Sequence, residues 1–224
     1  MALTFLDLTN RVLQAFNEVQ LTSATFATAT GFHSDCKSAI NMAILDIYNV
    51  EQGEWPFAWA EASFSTVAGT STYVKHASAT SIDWDSFYIN SGVNISGEWL
   101  DWIDLDTYRK YYRDDDLNAP AGGLNKPQMV VRKQDGNIIL TPVPNAVFTV
   151  KYEYFTIPAA MTLYNDTTAI PVQYEQVIVD KALHYANMFR DNLENAQLAL
   201  ARYMDNLTNM RRIEIPQPNT LRYL

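Results

Sequence analysis

The sequence holds a single cysteine, Cys36. No intramolecular disulfide can form, and one chain cannot build a cysteine-rich zinc site. Cations are also scarce. Sixteen Lys and Arg face 25 Asp and Glu, for a formal net charge of −9 and a sequence pI near 4.7. Gripping nucleic acid needs clustered Lys and Arg to neutralise phosphates, so a DNA-wrapping role is disfavoured, while an acidic surface past which DNA slides is allowed. No uninterrupted apolar stretch approaches the length needed to span a membrane. Met1-Ala2-Leu3-Thr4-Phe5 lacks the basic region and apolar run of a signal peptide. Together these imply a soluble protein folded in a reducing cytoplasm, with no membrane partner. The three histidines, His33, His76 and His184, show no metal-binding spacing. There is no calcium loop, nucleophile elbow or phosphate-binding glycine loop. The expectation is a non-enzyme without metal or cofactor.

What is present is ample apolar material, 48% of 224 residues, enough for one domain or a domain with a sizeable insertion. Three textures follow one another. Through about residue 50 the spacing predicts two helices. Phe5, Leu8, Val12, Phe16 and Val19 recur at intervals of three and four and share a face. Thr4 caps that helix, with Asp7 as a short capping box. After a Thr/Ser/Ala/Gly loop, Ser34 or Asp35 caps a second helix lined by Cys36, Ile40, Ala43, Ile44 and Ile47. From about 55 to 158 the period falls to two. Ala60, Ala62, Phe64 and Thr66 alternate with polar residues, and Ala68-Gly69-Thr70-Ser71 turns into Thr72-Tyr73-Val74-Lys75. Met129-Val130-Val131-Arg132 meets Ile138-Ile139-Leu140 across a turn whose Asp135-Gly136 supplies a positive φ. A last strand places Val150, Tyr152 and Tyr154 on one side, and a short helix covers 106–112.

From Pro171 the pattern is helical again. Tyr174, Ile178, Ala182, Tyr185 and Phe189 form one stripe, and Asp191 with Glu194 caps the next helix. Leu193, Ala196, Leu200, Tyr203, Leu207 and Met210 form a heptad-like seam, too short for an autonomous coiled coil and suited to a bundle. Helices at both ends of a strand-rich centre predict an α+β fold. A discontinuous helical bundle (1–54 and 159–212) would carry an inserted antiparallel β sandwich or barrel-like module (55–158) and an extended arm (213–224).

Thr4-Phe5-Leu6-Asp7-Leu8-Thr9-Asn10-Arg11-Val12-Leu13 resembles the opening helix of phage head-to-tail connector proteins. The resemblance continues through Ile40-Asn41-Met42-Ala43-Ile44-Leu45-Asp46-Ile47, Glu54-Trp55-Pro56-Phe57 and Phe64-Ser65-Thr66-Val67-Ala68-Gly69 with Tyr73. It extends to Ile139-Leu140-Thr141-Pro142-Val143-Pro144 with Tyr152-Glu153-Tyr154, and to Ile170-Pro171-Val172-Gln173-Tyr174. The ordered set is similar to the tail tubular protein A adaptors of short-tailed phages. It departs from them at Lys75-His76-Ala77-Ser78, where such proteins often carry a proline followed by an acid. The resemblance implies a structural virion protein at the head-tail junction. Its copies would form a twelvefold ring between the portal protein and the tail tube or nozzle protein, with the bundle facing the portal and the β module facing the tail. DNA would pass through without specific binding.

Within that picture the candidate portal-docking residues are Arg211, Arg212, Ile213, Ile215, Pro216, Leu221, Arg222, Tyr223 and Leu224. The arm is proline-containing, ends in apolar residues and has no evident internal partner; such arms commonly order on binding. Arg211 and Arg212 equally suit the C-terminal end of a helix dipole. Asp114, Asp115 and Asp116 are candidate channel or loop acids that would repel DNA. The rival reading is a carbohydrate-binding or glycan-cleaving virion module. It would use Asp83 and Asp85 around Trp84, or Asp101 and Asp104 beside Trp102, as converging carboxylates in a tryptophan-lined cleft. A scaffold built on a four-helix bundle is a third. Of the five tryptophans, core packing accounts for about three, and interface anchoring is the sharper reading for the others.

Overall fold

The computed structural model describes residues 3–50, 54–90, 97–118 and 124–215. The chain forms two compact units, one from 1–58 with 157–224 and one from 59–156. The fold is α+β, with helices from both ends of the chain packed together and the sheets inserted between them in sequence.

The helical unit contains α1 (Phe5–Ala15), α2 (Phe32–Asn49), α5 (Glu175–Phe189) and α6 (Leu193–Glu214). Thr4 opens α1 with the anticipated box: its Oγ1 accepts from Asp7 N at 3.2 Å, and Asp7 Oδ2 accepts from Thr4 N at 3.0 Å. The stripe ends sooner than its spacing implied. Asn17 turns the chain at φ 54°, Phe16 becomes the C-terminal cap, and Val19 is 79% exposed, while Leu13 takes a buried place instead. In the loop that follows, Phe26 is buried edge-on against Phe5 at 5.1 Å, and Lys37 Nζ donates to its carbonyl at 3.0 Å. Gly31, at φ 58°, occupies the cap position of α2, so the helix begins two residues before Ser34 and neither Ser34 nor Asp35 caps it. The five apolar residues expected to line α2 are all buried.

Polar contacts pin this bundle as well as apolar ones. Asp46 of α2 accepts from the Tyr185 hydroxyl and pairs with Lys181 at 3.1 Å, and Lys181 Nζ also lies 4.9 Å over the Tyr203 ring. Buried Asp180 is held by Gln176 and Asn206, at 2.7 and 2.8 Å, tying α5 to α6. Arg11 pairs with Glu175, and the Arg190 guanidinium sits 3.5 Å over the Phe32 ring. A 3-10 turn, Val172–Tyr174, precedes α5 behind Pro171. Asp191 (φ 56°) makes the α5–α6 turn, and Asn192, rather than Asp191, caps α6 by accepting from Asn195 N. Phe189 and Leu193 are exposed, and Ala199 is buried where Leu200 was expected.

The sheet unit holds two sheets. The first runs β1 (Trp59–Ser65), β9 (Thr149–Phe155), β4 (Tyr88–Asn90), β5 (Glu98–Trp99), with β3 (Ser81–Ile82) also on β9. The second runs β2 (Thr72–Tyr73), β8 (Ile138–Thr141), β7 (Met129–Arg132), β6 (Asp101–Ile103). Phe87, Ile89, Val130, Ile138, Leu140, Val150, Tyr152 and Tyr154 from both sheets share one core, which makes this a sandwich. Phe87 stacks on Tyr152 at 4.9 Å, and the Tyr152 hydroxyl accepts from His76 N at 2.8 Å.

Two details differ from the simple antiparallel expectation. The turn at Gly69 (φ 80°) closes no hairpin: it hands the chain from β1, paired with β9, to β2, paired with β8. And β6 pairs with β7 in parallel, because the intervening chain crosses over through α3 (Leu105–Tyr111) and α4 (Arg113–Leu117). Those helices cover the outer face of the second sheet, where Tyr108, Val131 and Ile139 form a small satellite core. Strand β8 is therefore buried on both faces, as the apolar run Ile138-Ile139-Leu140 followed by buried Thr141. The β7–β8 hairpin turns at Gly136, φ 79°, as its Asp-Gly pair predicts.

Candidate assembly surfaces

Most polar groups with a chemical reputation are occupied by the fold. His33 Nε2 bonds to Val19 O and His184 Nδ1 to Ala196 O, each at 2.9 Å, while the His76 ring packs against Tyr154 at 5.1 Å. Cys36 is buried, and that burial pushes its thiol up to about 12. Asp104 is the N-terminal cap of α3. It accepts from Asp106 N and Thr107 N at 2.9 Å, and the Thr107 hydroxyl and backbone hold its carboxyl below the usual range. A general acid needs the opposite shift, so Asp104 does not suit the acid half of a glycan-cleaving pair. Among the described residues no group of three or more His, Cys, Asp or Glu could hold a metal ion. No helix of the described chain is long and apolar enough to cross a membrane.

The three adjacent acids do not act as one group. Asp114 and Asp115 are exposed on α4. Asp116 turns inward to accept from Thr141 Oγ1 at 3.2 Å, and its Oδ2 is buried without a hydrogen-bond partner. Burial pushes its carboxyl up, and pushes neighbouring Tyr108 up to about 12 with help from the Asp116 charge.

Arg211 and Arg212 stand in the last turn of α6. That helix runs through Glu214, held by Gln173 Nε2 at 3.4 Å, so Ile213 is helical and the extended backbone begins at Ile215, two residues later than the sequence implied. The cause lies one turn earlier: Met210 is fully buried and fastens the end of α6 to the bundle. Pro216, Leu221, Arg222, Tyr223 and Leu224 lie outside the described residues.

Among the described residues, two surfaces stand open. On the sheet unit, the outer face of the first sheet carries Trp59 and Trp99, 48% and 67% exposed. Between them run Glu61, Glu153, Lys151 and Tyr88. Trp59 Nε1 donates to Glu153 Oε2 at 2.9 Å, and Lys151 pairs with Glu61 at 3.1 Å. Alternation along the strands puts these side chains outside while Val150 and Tyr152 point in. Trp102 on β6 is also 48% exposed. Only Trp55 is fully buried, its Nε1 donating to Ile47 O at 2.7 Å, and Trp84 is half-buried on Phe87. On the helical unit, α2 and residues 158–168 border an apolar groove of about 210 Å³, lined by Met42, Ile44, Leu45, Ala159, Ala160 and Met161 among others.

A folded chain whose acids cap and pack, while aromatic rings and an apolar groove face outward, is built to be covered by other proteins. That is the class of structural, partner-binding subunits. The family model described as SU10 adaptor protein matches residues 3–222, and the chain belongs to that family. It is a phage structural adaptor, a virion component that works through contact with other virion components. No curated protein matches the chain.

Proposed function

We propose that copies of this chain form a ring between the portal and the tail, leaving an axial channel through which the genome passes. In that role it would act as the tail tubular protein A adaptors do, to which its sequence is similar. The mechanism is geometric. Identical subunits present one surface to the portal and another to the tail tube or nozzle protein, and so convert one platform into the next. The observation that carries this reading is the outward Trp59, Trp99 and Trp102 on a well-packed sandwich. A lone subunit gains nothing by keeping three indoles in water, whereas a subunit interface buries them as anchors.

Two finer assignments go with it. Residues 216–224 dock on the portal, with Arg211 and Arg212 at the root of that arm. Asp114 and Asp115 line the channel and keep DNA from adhering; Asp116, turned toward Thr141, is left out of that role. The ring and the docking arm are both tested by co-sedimentation with the portal of the same virus. Trp59→Ala with Trp99→Ala should leave a folded subunit that no longer forms rings. Deletion of 216–224, which spares buried Met210, should leave a folded subunit that no longer binds the portal. Co-assembly at the unaltered level by either variant contradicts the corresponding assignment.

A further inference from the structure

An apolar groove on α2 and an apolar-ended sequence beyond α6 belong to the same unit. The groove is walled on one side by Asn41, Met42 and Leu45 and on the other by residues 158–161, with Thr167 and Thr168 at its rim. Asn41 fastens the two walls, its amide donating to Met161 O and accepting from Met161 N, both at 3.0 Å. No charged side chain is among its described lining residues. Met42 and Leu45 stand 40% and 46% exposed there, and nothing else in the described chain covers them.

The end of α6 lies close by along the chain. Glu214 bonds to Gln173, five residues past Thr168. Nine residues beyond Ile215 can span about 30 Å when extended, more than the five residues from Gln173 back to the rim at Thr168 can. Their chemistry matches the groove. Drawn out as an extended strand, the sequence would place Leu221 and Tyr223 on one side and Arg222, the segment's only charged side chain, on the other. Pro216 and Pro218 lower the entropy lost on ordering.

We propose that in the unassembled subunit residues 216–224 fold back into the groove of their own chain, seating Leu221 and Tyr223 against Met42 and Leu45. The same residues that the proposed function gives to the portal thus cover the subunit's own apolar surface until the portal takes them. Premature association through the groove is suppressed as a result.

The test uses the full chain at low concentration, with Tyr223→p-benzoylphenylalanine as a photocrosslinker and mass spectrometry as the readout. The expected product has the mass of one chain, with the link on Met42, Leu45 or Met161. Met42→Glu with Leu45→Glu, two exposed positions, should lower its yield about tenfold or more. Leu221→Ser, which alters no described residue, should lower the yield as well, which keeps the test sound if the α2 variant unfolds. Links between chains, links to other surfaces, no link at all, or a yield indifferent to these substitutions would overturn the inference. The portal need not be present. A crosslinked arm that never binds portal would sink only the docking assignment, and an arm that binds portal without ever linking to α2 would sink only this one.

Discussion

Thr4 and Asp116 show how far a single side chain moves this molecule. The reciprocal bonds of Thr4 and Asp7 satisfy two backbone donors that α1 would otherwise leave unpaired. Thr4→Ala should cost about 1 kcal/mol in urea denaturation. Asp116 runs the other way. Burial raises its carboxyl above the ordinary value of 3.8, so the folded chain holds that proton more tightly than the unfolded chain. Its contribution therefore becomes less favourable as pH rises from about that value through the raised folded one. At neutral pH an ionised carboxylate with an orphaned oxygen is retained at a cost. Asp116→Asn removes the titrating group and should flatten this part of the stability profile, read by urea denaturation across pH. Equal slopes for the two proteins would show that Asp116 does not titrate abnormally.

At the scale of elements, legibility follows periodicity. The buried face of α2, the β7–β8 hairpin and the inward Val150, Tyr152 and Tyr154 of β9 repeat one spacing over several residues, and the structure keeps them. Caps and ends are less legible because one residue's φ decides them. Asn17 cuts α1 short, Gly31 starts α2 early, and Asp191 turns the chain so that Asn192 caps α6. Strand partners are hidden for a different reason. Nothing local to β1 says that it pairs with a strand some ninety residues away (Trp59↔Phe155), or that β6 and β7 run parallel. The groove leaves no mark in the sequence because its walls come from α2 and from residues 158–168, each ordinary alone. Gly136 tests the hairpin. At φ 79°, with the Lys75 side chain at ordinary contact distance from an added methyl, Gly136→Ala meets backbone strain rather than a clash. It should lower stability by about 1–2 kcal/mol, and a neutral effect would mean that the turn relaxes.

The whole molecule is two compact units, each with its own core, and among the described residues Trp59, Trp99 and Trp102 stay exposed on the sheet unit. Sequence composition alone reaches part of this. Its acidity and single cysteine argue against a nucleic-acid grip and a disulfide framework, and the ordered motifs point to a phage adaptor, the family to which the chain belongs. Which tryptophans face outward cannot be read from spacing. Trp55 and Trp59 stand four residues apart, yet one is sealed beneath Ile47 O and the other lies on a sheet surface. The central claim is that these surfaces close against copies of the chain and against the portal. Electron microscopy of the purified protein mixed with the portal of the same virus tests it most directly. The account predicts a closed ring of this protein stacked on the portal around an open axial channel; portals that remain bare beside dispersed subunits at saturating concentration would contradict it.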